Sequence, residues 1–333
     1  MKQWLELVNT VFKDQPIKPS SPDSRDWPLQ AITELISGPV AATLRHYNQG
    51  ILNQYTSPLC GGYSGAELIS AFYGISVSPR FIYWQAKLID GIPDLVGTTL
   101  RAVLQVLQKI GACPESLCPS WPDWSKPVFT DEMMAEAAKY KIKSYARLNI
   151  GTLDEIQQTI ASGRMVLAGS LVTTDDWNDG DGWILQPLGT KRGTHAHVLD
   201  EYNKNLTHEQ YKNFAGGPNS WGPDWGDMGG FLQMAEAFAE WRDLDFGSYG
   251  LMEAWCVEFD QLFVPKYPAQ TYQFDIAPVI IEGRTMVELR SLSNIAGVKR
   301  IDYDGAAKKV TLNYLDKAVE LQIGQKEYTV TPK

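Results

Sequence analysis

The chain has 333 residues, 44% of them hydrophobic and 21% charged, with a formal net charge of −9. That apolar content supports a sizeable core and excludes intrinsic disorder, and the length allows about two domains. The acidic balance excludes nucleic acid or an anionic membrane as the main partner, because phosphate binding needs a basic surface. No apolar stretch reaches the roughly 20 residues of a membrane span.

Met1–Gln15 carries charges inside its apolar run and no small-residue cleavage site, so no signal peptide is expected. The location is open between the cytoplasm and a phage or cell surface. Four cysteines, Cys60, Cys113, Cys118 and Cys256, are too few for a disulfide framework. No C-x-x-C pair exists, so no structural zinc site is expected. Cys113 and Cys118 are near enough to bridge locally, but two small buried thiols in a compartment that does not require oxidation is the favoured reading.

In chain order, a mixed lead-in to about Asn53 is followed by Ser57-Pro58-Leu59-Cys60-Gly61-Gly62. This loop opens into a helix with Leu68, Ile69 and Phe72 at helical spacing, so Cys60 falls at or beside a helix N-terminus. A second helix is expected from about Thr98 to Ile110, with Leu100, Val103, Leu104, Leu107 and Ile110 on one face and Gly111 as its stop. Thr130 caps a third over Asp131–Lys141, and the capping box Thr152-Leu153-Asp154-Glu155 opens a fourth that ends at Gly163. Beyond Gly163 strands are expected at Met165–Val172, Trp183–Pro187 and His195–Tyr202. After glycine-rich turns over Gly216–Gly230, another follows at Ala254–Val264.

Helices first and strands later predict an α+β fold with segregated halves. The domain reading is a lead-in over 1–24, a main domain over 25–264, a linker over 265–271 and a small α+β unit over 272–333. The small unit reads as strand Val279–Ile281, a helix near Val287–Ala296, then strands near Val298–Tyr303, Val310–Tyr314 and Val319–Ile323, with Asp304-Gly305 as a hairpin turn. It holds nine Lys and Arg against eight Asp and Glu, so the acidity belongs to the first 271 residues.

A cysteine is an effective nucleophile only as thiolate, and a helix N-terminus favours that form. Gln54, six positions before Cys60, can offer its amide beside the Cys60 N–H as a second donor to a developing oxyanion. His195, 135 positions after Cys60, is a candidate to take the thiol proton and return it as general acid. Asn219, 24 positions further on, can hold the far imidazole nitrogen through its side-chain carbonyl. His197 shares a strand face with His195, and spacing alone does not choose between them. An H-x-H zinc site would lack a third ligand.

The ordered set Gln54, Cys60, His195-Ala196 and Asn219-Ser220-Trp221-Gly222 resembles the papain family of cysteine peptidases over about Arg25–Val264. Cysteine-to-histidine and cysteine-to-asparagine separations of about 130–150 residues belong to that family's pattern. The most specific piece is NSWGPDWGDMGGF at Asn219–Phe231; Ser78–Trp84 and Gly111–Ser116 place the chain nearest the microbial and viral branch that lacks a long inhibitory propeptide. The resemblance implies a two-lobed papain-like fold, with a helical left lobe and a β-rich right lobe, a peptide or protein substrate, no cofactor and no metal. It implies Cys60 as nucleophile, His195 as base and then acid, Asn219 as its orienter, Gln54 in the oxyanion hole and Trp221 as a shield over the Asn219–His195 contact. Two alternatives stand beside it: a non-catalytic binding or structural protein of the same fold, and a cell-wall peptide hydrolase of a bacterium or phage.

Departures from the family carry expectations of their own. Where the family has Cys-Gly-Ser-Cys-Trp, this chain has Ser57-Pro58-Leu59-Cys60-Gly61, so the usual disulfide partner is a serine and Gly61 is expected to loosen the helix start. Pro218, lacking an N–H, is expected to alter the pairing of the Asn219 strand. Met1–Ser24 is too short for a folded propeptide, yet could block the cleft. The loop Asp175–Gly182 reads as a solvated rim that repels acidic peptides rather than as a calcium loop, Trp177 occupying a ligand position.

The run Pro278–Arg290 (PVIIEGRTMVELR) resembles the stalk-like domain at the N-terminus of some copper amine oxidases, a module also found in bacterial surface proteins. The resemblance implies a binding or spacer module with a surface or cell-wall partner. With no His or Cys in it, no copper is expected.

Overall fold

The computed structural model describes residues 17–266 except 25, 30–38, 48–49, 174–176, 178–180, 187–190, 227 and 244–247, and beyond 266 only the strands between 279 and 332. Contacts divide the chain into two compact units, Met1–Ile36 with Ala41–Lys266 and Ser37–Val40 with Tyr267–Lys333.

In the larger unit, β1 (Ile17–Lys18) and β2 (Ala41–Thr43) lead to α1 (Cys60–Tyr73), and α2 (Pro79–Lys87) and β3 (Thr98–Thr99) follow. Next come α3 (Leu100–Lys109), α4 (Asp131–Ala137), β4 (Ser144–Arg147), α5 (Asp154–Ala161) and β5 (Met165–Thr173). The remainder is β-rich: β6 (Trp183–Ile184), β7 (Lys191–Leu199), β8 (Glu201–His208), β9 (Tyr211–Pro218), β10 (Phe231–Ala235), the short α6 (Glu236–Glu240), β11 (Arg242–Asp243), β12 (Ser248–Tyr249) and β13 (Leu251–Glu258). Two sheets carry it, one ordered β2-β8-β9-β10-β6 and the other β4-β13-β5-β7. Helices therefore gather in the first half and strands in the second, the α+β arrangement that the sequence pattern predicts.

The central helix α1 is buried on every side for most of its length, so its neighbours decide its residues. A Cβ at Gly62 would stand 2.2 Å from the Pro79 carbonyl oxygen, so glycine is what lets α1 and α2 pack this closely. Ser78 caps α2 by accepting from the Phe81 amide, with Pro79 preorganised in the first turn. Thr99 caps α3, whose Leu100, Val103, Leu104 and Leu107 are buried as the periodicity requires. Thr130 caps α4, which stops at Ala137.

The capping box is a correction. Helix α5 starts at Asp154 with Leu153 at the N-cap and no side-chain cap. The Glu155 carboxylate turns away to accept from the backbone and side-chain amides of Asn149 at 2.8 and 2.6 Å. Pro218 does not break the ladder either. It ends β9 opposite Phe231, and the next amide, that of Asn219, donates to the Gly230 carbonyl at 2.9 Å.

In the smaller unit β14 (Val279–Ile281) pairs with β15 (Arg284–Met286). Strands β16 (Arg300–Asp304), β17 (Lys309–Asn313), β18 (Lys317–Gln322) and β19 (Tyr328–Pro332) form an antiparallel meander in that order. Asp304, the first residue of the expected Asp304-Gly305 turn, ends β16 opposite Lys309, and Gly305 lies outside the described residues. The helix expected near 287–296 lies outside the described residues.

Two carboxylates sit where a core would have aliphatic side chains. Glu67 on α1 and Asp200, after β7, are buried and find no hydrogen-bond partner among the described residues. Burial and, secondarily, the neighbouring Glu201 push the Asp200 carboxyl up to about 8, against the pull of Arg45; burial and Asp200 raise Glu67. The unfolded chain loses this Asp200 proton near pH 4, whereas the folded chain keeps it until about pH 8. Its stabilising contribution is thus full below about pH 4 and is lost as the pH rises toward 8. Asp200→Asn is expected to melt above the wild type at pH 8 and level with it at pH 4, measured by thermal denaturation.

Candidate active site

Cys60 is the first residue of α1, and the amides of Ala196 on β7, of Gly61 and of Cys60 itself point at its sulfur. The residue before Ala196 is His195. Its Nε2 donates to Asn219 Oδ1 at 2.8 Å, since an amide oxygen can only accept, so Nδ1 is left as the basic ring nitrogen. Asn219 follows β9 and is itself held through its amide by Gly230. The Trp221 ring tilts over His195 at 4.8 Å between centroids, a cover that keeps water from the imidazole–amide bond.

Gln54 is zipped to the same turn. Its amide nitrogen donates to the Ser220 carbonyl at 2.8 Å, and the Ser220 hydroxyl donates to its Oε1 at 2.6 Å. Its side-chain Nε2 donates to the Ser57 carbonyl at 3.0 Å. Gly222 closes the turn, with φ +86° and its amide bonded to the Leu52 carbonyl. The structure thus gathers Gln54, Cys60, His195, Asn219 and Trp221 into one place.

Two participants escape the sequence reading. Ser220 fixes the Gln54 amide, and its signal was present as the second letter of the Asn219–Gly222 motif. Trp177 stands edge-on to His195 at 5.7 Å and also meets His197, Trp221 and Trp225. It comes from the acidic segment whose other residues, except Asp181 and Gly182, lie outside the described ones. His197 faces the Ser170 hydroxyl at 2.8 Å, on the same side of the strand as His195. Among the described residues no group of three or more His, Cys, Asp or Glu side chains could hold a metal ion. No helix among them is long and apolar enough to cross a membrane.

The N-terminal strand β1 packs against the residues that flank Cys60 and His195. It pairs in parallel with β3, Ile17 opposite Thr98. Both backbone groups of Ile17 bond the hydroxyl of Thr194, the residue before His195, at 3.0 and 2.5 Å. A Cβ at Gly61 would lie 3.1 Å from Ile17 Cδ1 and 3.2 Å from Thr98. The glycine after the nucleophile therefore does not loosen the helix start, as the sequence suggests; it makes room for the strand. Downstream, the Ser20 amide reaches Glu253, and Arg101 and Arg147 clamp Ser20 and Asp26.

The consequence is electrostatic. Cys60, Gln54, His195, Asn219 and Trp221 are all 0% exposed. Burial outweighs the three amide donors and pushes the Cys60 thiol up to about 12, and burial pulls His195 down to about 4 against the Asn219 hydrogen bond. Here the sequence expectation is reversed: the helix N-terminus does favour the thiolate, but desolvation wins. In this closed form the two groups are a neutral thiol and a neutral imidazole.

The described fold resembles solved structures. Xylellain, a cysteine protease from Xylella fastidiosa, aligns at 20% identity with a TM-score of 0.60, over 75% of this chain and 98% of that one. Procathepsin B S9 from Trypanosoma congolense aligns at 16% identity with a TM-score of 0.57, over 78% and 88%. The proform of Amb a 11, a cysteine protease and ragweed pollen allergen, aligns at 17% and 0.56, over 77% and 76%. No curated protein matches the chain by sequence. Residues 268–333 match the model of the copper amine oxidase N-terminal domain; they contain no His or Cys, a donor set that does not fit copper. The chain thus joins a papain-like fold to a C-terminal segment that matches the copper amine oxidase N-terminal domain.

Proposed function

We propose that the larger unit is a cysteine peptidase that cleaves peptide bonds through a thioester on Cys60. The observation that carries this reading is the 2.8 Å bond holding His195 on Asn219 while the amide of the next residue touches the Cys60 sulfur. Both support an oriented base acting on a cysteine at a helix N-terminus.

In the reaction, His195 Nδ1 takes the thiol proton as the sulfur attacks the peptide carbonyl carbon. The negative oxygen that forms accepts from the Cys60 amide and from Gln54 Nε2, which Ser220 keeps in place. Collapse of the intermediate breaks the C–N bond, and the departing amine takes the proton from His195. Water then attacks the thioester with His195 again as base, releasing the acid and the free thiol.

The test is an acid-quenched reaction with a mixed peptide pool, read by intact mass and peptide mapping. An acyl adduct on Cys60 that decays as products accumulate is the expected result. Product formation with no adduct, or with an adduct elsewhere, overturns the thioester.

A further inference from the structure

Away from the active site, one side chain gathers two thiols. Ser78 uses its amide to hold the Cys113 carbonyl at 2.9 Å and its hydroxyl to hold the Cys118 carbonyl at 2.6 Å. Between them the chain turns back on itself, the Leu117 amide bonding the Pro114 carbonyl at 3.0 Å. The loop is pinned on both flanks: the Glu115 amide bonds the Ser76 carbonyl, and the Glu115 carboxylate accepts from the Ser120 amide and hydroxyl at 2.7 and 2.8 Å. Both cysteines are buried against Phe81 and Ala137; their side chains are within reach of each other, and the Cys113 thiol donates to the Pro114 carbonyl at 3.6 Å. Ser116, in the turn between them, is exposed.

From this geometry we infer that Cys113 and Cys118 form a redox site, a dithiol that closes reversibly to an intraloop disulfide by exchange with a low-molecular-mass disulfide of the oxidised-glutathione class. The favoured reading from sequence, two inert buried thiols, describes only the reduced form. The two sulfurs are not equivalent. Arg80 bonds the Pro119 carbonyl at 3.1 Å, which sets its charge beside Cys118 and eases that sulfur toward the thiolate against burial and Glu115. Cys113, whose thiol keeps its proton in the bond to the Pro114 carbonyl, is pushed up by the Cys118 side chain and by burial.

Cys118 is therefore the attacking thiolate. Its sulfur attacks the small disulfide, forming a mixed disulfide and releasing one thiolate. The Cys113 thiol passes its proton to that thiolate, its sulfur attacks the Cys118 sulfur, and the second small thiol leaves. The second small thiol leaves as a thiolate that takes up the proton Cys118 had shed to solvent, so the protein loses two protons and two electrons and the small disulfide gains both. This chemistry stands whether or not the chain is a peptidase.

The experiment uses the full chain at pH 8 with oxidised glutathione, followed by unfolding in iodoacetamide and peptide mapping. Four thiols start free. Expected are an intact mass lower by two hydrogens, loss of alkylation at Cys113 and Cys118 together, and its return after dithiothreitol. In Cys113→Ser the glutathione adduct should persist on Cys118, whereas Cys118→Ser should give no adduct at Cys113. Full alkylation of both cysteines after oxidation, or a protein disulfide that contains Cys60 or Cys256, overturns the inference. A lasting adduct on Cys113 in Cys118→Ser overturns the assigned direction of attack.

Discussion

Cys60→Ala and His195→Ala are each expected to lower kcat/KM for peptide cleavage by about 10⁴-fold or more, and the double variant by no more than either alone. The two side chains form one device: the sulfur is useless without a proton acceptor, and the imidazole has nothing else to activate. Removing one therefore removes what the other contributes. Asn219→Ala should cost less, about 10–100-fold, the worth of one buried hydrogen bond to the base, because the Trp221 and Trp177 rings still flank His195. Effects of Cys60→Ala and His195→Ala that multiply in the double variant would mean that the two residues act separately.

Removal of residues 1–20 is expected to raise the rate of Cys60 alkylation at pH 7 by at least about tenfold. Strand β1 packs Ile17 beside Gly61, the residue after Cys60, and bonds Thr194, the residue before His195. With water admitted, the burial that pushes the thiol up to about 12 is relieved, while the three amide donors remain. A fall toward the ordinary value of about 8.5 would multiply the thiolate fraction by more than a hundredfold, so tenfold is a modest floor. The ion pairs of Asp26 with Arg101 and Arg147 lie beyond the cut and keep the rest of the N-terminal segment docked. An unchanged labelling rate in a chain with wild-type circular dichroism would show that β1 does not gate the sulfur.

The opposite shift on the histidines sets an acid limit. Burial lowers both, His195 to about 4 and His197 to about 3, with His195 a further influence on His197. Their contribution to stability is full above the unfolded value near pH 6.5 and is lost as the pH falls toward 4. Asp200 and the imidazoles thus penalise opposite ends of the scale.

What could be read from the sequence were the features carried by near neighbours. The apolar face of α3, the caps at Thr99 and Thr130, and the Asn219–Gly222 turn are each set within a few residues, and each lies close to its expected place. The hairpin of β8 and β9 was not legible: Asn203–Lys212 is largely polar, one strand face meets solvent, and alternation is lost. Helix α2 was missed because its start depends on Ser78 and Pro79 rather than on a long apolar stripe. Hardest was β1, two residues whose partners Thr98 and Thr194 are far along the chain. The burial of Cys60 could not be foreseen either, and a helix N-terminus alone pointed to the wrong sign for the thiol.

The account rests on Cys60 being a nucleophile that His195 activates, and one labelling measurement reaches that directly. A chain lacking residues 1–20 is exposed to an epoxysuccinyl probe near neutral pH and mapped by mass. Labelling confined to Cys60, sparing Cys113, Cys118 and Cys256, and abolished by His195→Ala, is the predicted result. Labelling spread evenly over the four cysteines, or retained at Cys60 in His195→Ala, would contradict it.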